Sequence, residues 1–184
     1  MAILNKSQTE KQSKDYWRTP QELIDDALKL IGAKGFDIDV CCSDEDVQIQ
    51  NSDWCLLESQ DALSDIDWFS DNYYSDCSSP IFTTSFCNPP FSQKWKFFNK
   101  AIEQSKKWGK SVLMVLPYTP ATKQWHENVH GQDCIIYVPD GRYQYLLPDG
   151  TKPVNSCNFE TCLILIVPFK CGNVIVNYKR GLDG

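Results

Sequence analysis

The segment of this 184-residue chain that is best equipped for chemistry is Asn88-Pro89-Pro90-Phe91. The side-chain carbonyl of an asparagine and the backbone carbonyl of the proline after it can both accept hydrogen bonds from one planar NH2 group. Such bonds draw the nitrogen towards a pyramidal geometry and expose its lone pair to an electrophile. The prolines hold the carbonyls rigidly, because their φ angle is fixed and they carry no competing N–H. Rigid placement is itself a catalytic contribution.

This arrangement suits group transfer to a poorly nucleophilic amine such as the exocyclic amino group of adenine. Phe91 could then stack on a base that has been rotated out of a nucleic-acid helix. The reaction requires no acid, base or metal. The tetrapeptide could equally be a plain turn with a buried Phe91, and alone it favours neither interpretation. An Asn/Asp/Ser-Pro-Pro-aromatic run occurs by chance in roughly one per cent of chains of this length.

The position of the tetrapeptide favours a functional interpretation. Residues Ile81 to Cys87 predict a strand that runs directly into Asn88, and Trp95, Phe98, Ala101 and Ile102 predict an amphipathic helix that ends near Lys107. The loop therefore lies at the carboxyl end of a strand and before a helix. Open α/β sheets bind their ligands at such places.

The remaining elements predict an α/β sheet with covered faces. Thr19 is the expected N-cap of a helix, with Pro20 at the first helical position and Gly32 at its end. Residues 43–80 are weakly patterned, and we expect loops with at most one short helix there. The other expected elements are strands at Phe36–Val40, Ser111–Leu116 and Cys134–Val138, a helix at Ala121–Val129, and a terminal antiparallel hairpin of Thr161–Val167 and Val174–Tyr178.

Charge is distributed unevenly along the chain. The net charge is −6, yet residues 35–93 contain twelve acidic residues and no Lys or Arg, whereas residues 94–184 contain twelve Lys/Arg and seven acidic residues. Such asymmetry can place a basic surface for phosphates on an acidic protein. It does not decide whether any single lysine binds phosphate or is only solvated.

Cysteine and histidine usage predicts a reduced protein without a metal. The nine cysteines include an adjacent pair and no CxxC, which is typical of free thiols in the cytosol. His126 and His130 have no acid or cysteine nearby to complete a metal site, so a surface pair is favoured over zinc. The chain shows no apolar signal segment and no apolar run long enough to cross a bilayer.

Four motifs together resemble the phage-type DNA N6-adenine methyltransferases, the small Dam-like family. The resemblance extends from about Asp15 to Val167. The motifs occur in the family's order and at similar spacing: Asp15-Tyr16-Trp17-Arg18-Thr19-Pro20, Phe36-Asp37-Ile38-Asp39-Val40-Cys41-Cys42-Ser43, Asp61-Ala62-Leu63-Ser64 with Trp68, and Phe86-Cys87-Asn88-Pro89-Pro90-Phe91-Ser92. The resemblance implies a single-domain, Rossmann-like methyltransferase sheet over residues 15–184, mostly parallel with a C-terminal antiparallel hairpin. The polar residues before it predict a flexible arm at residues 1–14.

The resemblance also implies S-adenosylmethionine as cofactor. In the family, Trp17, Thr19 and Pro20 match the motif that lies against its methionine end, and Asp39 matches the acid that receives its ammonium. Asp61 matches the acid that faces the adenine moiety, with Leu63 packed beside it. We do not assign Glu58, which could face the ribose.

Two departures from related enzymes stand out. Cys41-Cys42-Ser43-Asp44 replaces the Gly-x-Gly turn of many methyltransferases, although the resembling family is also poor in glycine there. Asn88 stands where many adenine enzymes have Asp, but Asn serves in others.

The implied partner is double-stranded DNA, in the cytoplasm of a bacterial host of a phage or prophage. Because the chain lacks a large recognition domain, we expect loops to read the sequence, within residues 118–131 or 142–155. Lys94 and Lys96 are expected to bind phosphates. Arg142 is expected either to reach a base edge or to fill the gap that the displaced base leaves in the stack. Adenine in RNA, glutamine in protein, and a catalytically inactive binding role remain alternatives.

Overall fold

The computed structural model describes residues 15–43, 49, 51–69, 84–154 and 160–182. The arm expected at residues 1–14 and the first residues of the strand expected from Ile81 lie outside these ranges. In chain order the elements are α1 Gln21–Ile31, β1 Phe36–Cys42, β2 Ser52–Leu57, a 3₁₀ turn Glu58–Gln60, β3 Thr84–Cys87, α2 Lys94–Trp108, β4 Ser111–Pro117, α3 Lys123–Asn128, β5 Cys134–Pro139, β6 Thr161–Ile166 and β7 Asn173–Tyr178.

The seven strands form one mixed sheet in the order β2-β1-β3-β4-β6-β5-β7. Neighbouring strands are parallel except where β6 lies between β4 and β5, because β6 pairs antiparallel with both. This arrangement confirms the predicted α/β class and the mostly parallel sheet.

The predicted terminal hairpin is wrong. β7 runs opposite to β6, as it would in a hairpin, but β5 lies between them and pairs with β7 in parallel. The connection from β6 to β7 therefore passes the end of β5. There Asp133 Oδ1 accepts hydrogen bonds from the backbone nitrogens of Cys171 and Gly172, each at 2.9 Å. These two bonds fix the crossing loop where a tight turn was expected.

Helices cover both faces of the sheet, as the alternation of β4 illustrates. Its residues Val112, Met114 and Leu116 are buried in the apolar cluster that contains Phe98 of α2 and Trp125 of α3. Leu113 and Val115 point to the opposite face, into the cluster that contains Leu23, Ile24 and Ala27 of α1. The core is therefore divided by the sheet into two layers, as expected for a strand that is buried on both faces.

The start of α1 differs from the prediction by one residue. The helix begins at Gln21 with Pro20 as N-cap, and no side chain caps it. Thr19 is therefore not the capping residue, and its hydroxyl is free for another contact. The predicted end is confirmed, because Gly32 adopts a left-handed conformation with φ 67°.

Strand β2 was not predicted. It lies at the edge of the sheet, where Asp53 and Trp54 are exposed, so its sequence shows no regular alternation.

Within the described residues, no helix is long and apolar enough to cross a membrane.

Candidate active site

Three strand ends meet at one edge of the sheet. β2, β1 and β3 lie side by side in parallel, so their carboxyl ends lead together into Glu58, Ser43 and Asn88 respectively. The chain passes from β1 to β2 on one side and returns at β3 on the other. Strand order thus reverses at β1, and open α/β sheets bind ligands outside the strand ends at such a switch point.

Two adjoining cavities occupy this edge, one of about 180 Å³ and one of about 50 Å³. Asn88 lines both, so the predicted catalytic asparagine lies where they meet. Five residues are common to the two linings, namely Asp15, Tyr16, Cys41, Ser43 and Asn88.

The structure brings most predicted cofactor residues to these cavities. Trp17, Thr19 and Asp39 line the smaller one, and Asp61 and Leu63 line the larger one. The last predicted cofactor residue, Pro20, is buried and belongs to neither lining.

Asp39 is a buried carboxylate, with 5% of its surface exposed. Its Oδ1 accepts a hydrogen bond from Cys41 N at 3.1 Å, and its Oδ2 accepts one from Cys42 Sγ at 3.4 Å. Burial raises the pKa of Asp39 to about 6, although these hydrogen bonds oppose the rise. Desolvation therefore destabilises the ionised form of Asp39, and a cation in the smaller cavity would stabilise it.

Arg18 also lines the smaller cavity, which the sequence did not predict. Its Nε is buried and has no hydrogen-bond partner among the described residues. Its backbone is held by Leu146, through hydrogen bonds of 2.9 and 3.1 Å that form an antiparallel bridge. Arg18 and Asp39 thus contribute one basic and one acidic residue to the lining of the same cavity.

Asp61 combines a turn with a place in the larger cavity. It is the one non-glycine residue of the described ranges with positive φ, at 47°, and its Oδ1 accepts a hydrogen bond from Leu63 N at 3.1 Å. A non-glycine residue in this conformation is strained, and such strain clusters at ligand sites. The interpretation as a turn residue and the interpretation as a ligand residue are therefore compatible.

Of the four residues predicted to form a catalytic loop, only two line the cavities. Asn88 is half-buried, and its Nδ2 donates to Thr19 Oγ1 at 2.9 Å. Pro90 lines the larger cavity, whereas Pro89 is buried and Phe91 is half-buried outside both linings. With the amide nitrogen engaged, the Oδ1 of Asn88 is the atom that can accept from a substrate.

Tyr16 and Glu58 form a contact at the larger cavity that was not assigned from sequence. The Tyr16 hydroxyl donates to Glu58 Oε1 at 3.3 Å, and both residues line the cavity. Glu58 directly follows β2, so recognition of that strand would have placed it at the carboxyl edge of the sheet.

The three residues predicted to bind DNA differ in their exposure and in the contacts that their side chains already make. Lys94 donates to the backbone oxygen of Phe91 at 3.3 Å, and partial burial lowers the pKa of its ammonium. Lys96 is exposed on α2. Arg142 is half-exposed, with its guanidinium 3.8 Å from a carboxylate oxygen of Glu160. Lys96 is therefore better placed than Lys94 to meet a phosphate.

The described cysteines and histidines show free thiols and a pair of neighbouring imidazole rings. The seven cysteines that the structure describes are free thiols, and Cys41 Sγ lies 3.5 Å from Cys87 Sγ. The His126 and His130 rings are 4.0 Å apart. Within the described ranges, no three His, Cys, Asp or Glu side chains are grouped to hold a metal ion.

Sheet and site together define an α/β protein with two adjoining cavities at a topological switch point, where open α/β sheets bind ligands. Two comparisons with known proteins narrow this class. The model of the DNA N-6-adenine-methyltransferase (Dam) family matches residues 6–182. A DNA N-6-adenine-methyltransferase of Haemophilus phage HP1 (strain HP1c1) is 26% identical over 168 residues, which covers 90% of this chain and 86% of the relative. The chain therefore belongs to the Dam family of DNA N6-adenine methyltransferases.

Proposed function

We propose that the chain transfers a methyl group from S-adenosylmethionine to the exocyclic amino group of an adenine rotated out of double-stranded DNA, with Asn88 as the residue that binds that amino group. The observation that carries this proposal is the place of Asn88, at the junction of the two cavities with its amide nitrogen bonded to Thr19. Family membership supports the reaction and the DNA substrate.

The smaller cavity fits the amino-acid end of the cofactor. An ammonium would lie against Asp39, whose buried carboxylate needs a cation, and a carboxylate would meet Arg18, whose buried Nε needs an acceptor. In the larger cavity, Glu58 follows β2 and would bind the ribose hydroxyls, while Asp61 and Leu63 would face the adenine ring. When bound, S-adenosylmethionine supplies an electrophilic methyl group.

The catalytic loop supplies hydrogen-bond acceptors. Asn88 Oδ1 and the backbone oxygen of Pro89 would accept from the two protons of the adenine amino group, which concentrates the lone pair on its nitrogen. Buried Pro89 fixes the backbone between these acceptors. Half-buried Phe91, which directly follows the cavity-lining Pro90, would stack on the displaced base and offset part of its unstacking cost, which is a few kcal/mol.

The direct test is transfer of a labelled methyl group to separate pools of DNA, RNA and protein, followed by identification of the modified residue. We expect N6-methyladenine in the DNA pool. Label confined to RNA or to protein glutamine would overturn the substrate assignment. Absence of transfer, together with an unchanged melting temperature when S-adenosylmethionine is added, would favour an inactive binding protein. A ligand at a hundred times its Kd should add about 2.7 kcal/mol of stability.

Cofactor affinity is expected to depend on pH through Asp39. Its pKa of about 6 means that the carboxylate is mostly protonated at pH 5 and mostly ionised at pH 7. Because the ammonium binds the ionised form, affinity should rise about tenfold from pH 5 to pH 7. Isothermal titration calorimetry across this range measures the effect. Asp39→Asn is the matched control, and a wild-type profile as flat as that of this variant would remove Asp39 from the ammonium site.

DNA affinity is expected to depend on Lys96 through a phosphate contact. Lys96→Ala should lower the slope of log K against log salt by about one and weaken binding to all sequences equally. Lys106→Ala is the matched control, since Lys106 is exposed on the same helix about 15 Å further along. Equal slopes for Lys96→Ala and wild type would show that DNA does not pass this part of α2. Lys94→Ala should give a smaller change, because Lys94 already contacts Phe91.

Arg142 is expected to affect sequence choice. Arg142→Ala should reduce discrimination between the target and mismatched sites by about 1–3 kcal/mol if the guanidinium leaves Glu160 for a base edge. Competition binding with single-base variants of the target measures this. A change in thermal stability without a change in discrimination would instead assign Arg142 to packing of its turn.

A further inference from the structure

The segment of residues 15–19, here called the N-terminal clamp, holds both ends of the catalytic loop. At one end, Asp15 Oδ1 accepts from Ser92 N at 3.2 Å, and Asp15 Oδ2 accepts from Ser92 Oγ at 2.6 Å. At the other end, Thr19 Oγ1 accepts from Asn88 Nδ2 at 2.9 Å. The clamp thus contacts the first of the four residues assigned to catalysis, Asn88, and the residue that follows the last of them, Ser92.

We propose that Thr19 is a positioning residue for the methyl-transfer reaction, acting through Asn88. Its hydroxyl holds the Asn88 amide so that Oδ1, and not Nδ2, is presented to the adenine amino group. This inference rests on the proposed function, and it gives Thr19 a role different from the cofactor contact that the family resemblance implies.

The hydroxyl of Thr19 is available because α1 does not use it. The helix begins at Gln21 with Pro20 as N-cap, and no side chain caps its first turn. The backbone of Thr19 is also fixed from both sides, by the bridge between Arg18 and Leu146 and by buried Pro20. The oxygen therefore has a defined position relative to the sheet, and it can transmit that position to Asn88.

Orientation of the Asn88 amide determines what it offers to a substrate. The terminal torsion of asparagine is broad and roughly two-fold, so without a partner the NH2 and the oxygen can exchange places. An amide turned the wrong way would place its own NH2 against the adenine NH2, two donors facing each other. Loss of the Thr19 contact should therefore slow the reaction without removing any atom from the cofactor cavity wall except the hydroxyl.

The test compares Thr19→Val, which removes the hydroxyl at nearly constant shape, with Thr19→Ser, which retains it. We expect kcat to fall about tenfold to hundredfold in the valine variant, with cofactor Kd changed less than threefold, and the serine variant to recover most of the rate. Thermal unfolding confirms that each variant is folded, and Thr19→Ala repeats the measurement if valine does not fit.

Three outcomes would overturn the proposal. An unchanged kcat in Thr19→Val would show that the hydroxyl does not position Asn88. A loss of cofactor affinity in proportion to the loss of rate would return Thr19 to the cofactor site. Failure of Thr19→Ser to recover activity would assign the effect to packing of the methyl group.

A second readout does not depend on activity. The side-chain amide protons of Asn88, identified by their loss in Asn88→Ala, should exchange with solvent faster in Thr19→Val than in wild type or Thr19→Ser. Equal exchange rates overturn the positioning role even if the wild type methylates DNA. Absence of methyl transfer by the wild type, with the expected exchange difference present, overturns the proposed function and leaves the hydrogen bond established.

Discussion

Asn88→Ala is expected to lower the rate of methyl transfer to DNA at least about a hundredfold while cofactor affinity stays within about threefold of wild type. The side chain contacts Thr19 and the junction of the cavities, so its Oδ1 would be used mainly when the adenine amino group becomes pyramidal. Interactions made chiefly in the transition state affect kcat more than binding.

Single-turnover methylation and calorimetric titration of the cofactor measure the two quantities. Asn99→Ala is the matched control, because Asn99 is an exposed asparagine on α2 that contacts Asn128 at 3.4 Å and lines neither cavity. Asn88→Asp keeps an acceptor oxygen and can accept from Thr19, so we expect it to retain part of the activity. Turnover of Asn88→Ala close to that of Asn99→Ala would exclude the proposed mechanism.

The sequence predicted those elements whose residues alternate or recur locally. The apolar run of β4 and the helical spacing of Leu23, Ile24, Ala27 and Leu28 each depend on neighbours within a few positions, and the structure confirms both elements. The place of Asn88 at a strand end could be predicted for the same reason, because β3 leads directly into it.

Features that depend on distant partners could not be predicted in this way. Whether β7 pairs with β6 or with β5 is decided by contacts such as that of Asp133 with the loop before β7, and nothing in residues 161–178 encodes them. β2 is an edge strand with exposed Asp53 and Trp54, so it lacks the pattern of a buried strand.

The site shows the same division between local and distant information. The chemistry of the Asn-Pro-Pro-Phe loop follows from residue types, whereas the cofactor residues came from the family resemblance. Arg18 and Tyr16 lay inside a recognised motif but had no assigned role, because only the fold shows that Arg18 lines the smaller cavity with Asp39 and that Tyr16 contacts Glu58. Thr19 was assigned as a helix cap and, from the family resemblance, as a cofactor residue, and its contact with Asn88 joins residues 69 positions apart.

Two buried aspartates, Asp26 and Asp39, differ in the groups that surround their carboxylates. Asp26 on α1 is 1% exposed, and it accepts hydrogen bonds from the Tyr143 hydroxyl at 2.6 Å, from Gly181 N at 3.0 Å and from Leu182 N at 2.9 Å. Its charge is thereby compensated by fixed donors of the fold. Asp39 is almost as buried and also has hydrogen-bond donors, namely the backbone of Cys41 and Ile49 and the thiol of Cys42, but the effect of burial on its pKa exceeds theirs.

The two sites should therefore respond oppositely to substitution. The rise in the pKa of Asp39 from 3.8 to about 6 corresponds to roughly 3 kcal/mol against its ionised form. Because the folded pKa lies above the unfolded one, this residue contributes stability below about pH 4, and the contribution is lost as pH rises through about 6. At pH 7.5, without added cofactor, the protein is consequently expected to be less stable than it would be with a neutral side chain at position 39.

Asp39→Asn is thus expected to keep or raise the free energy of unfolding at pH 7.5 while weakening cofactor binding by about 1.5–3 kcal/mol through loss of a charge-assisted contact. Asp26→Asn, the matched substitution, should lower the free energy of unfolding, since Tyr143 and two backbone nitrogens lose their charged acceptor, and it should spare cofactor affinity in the folded fraction. Urea unfolding and calorimetry on both variants separate the two effects. A fall in stability of Asp39→Asn as large as that of Asp26→Asn, with unchanged cofactor affinity, would make Asp39 a structural residue and leave the ammonium to be bound elsewhere.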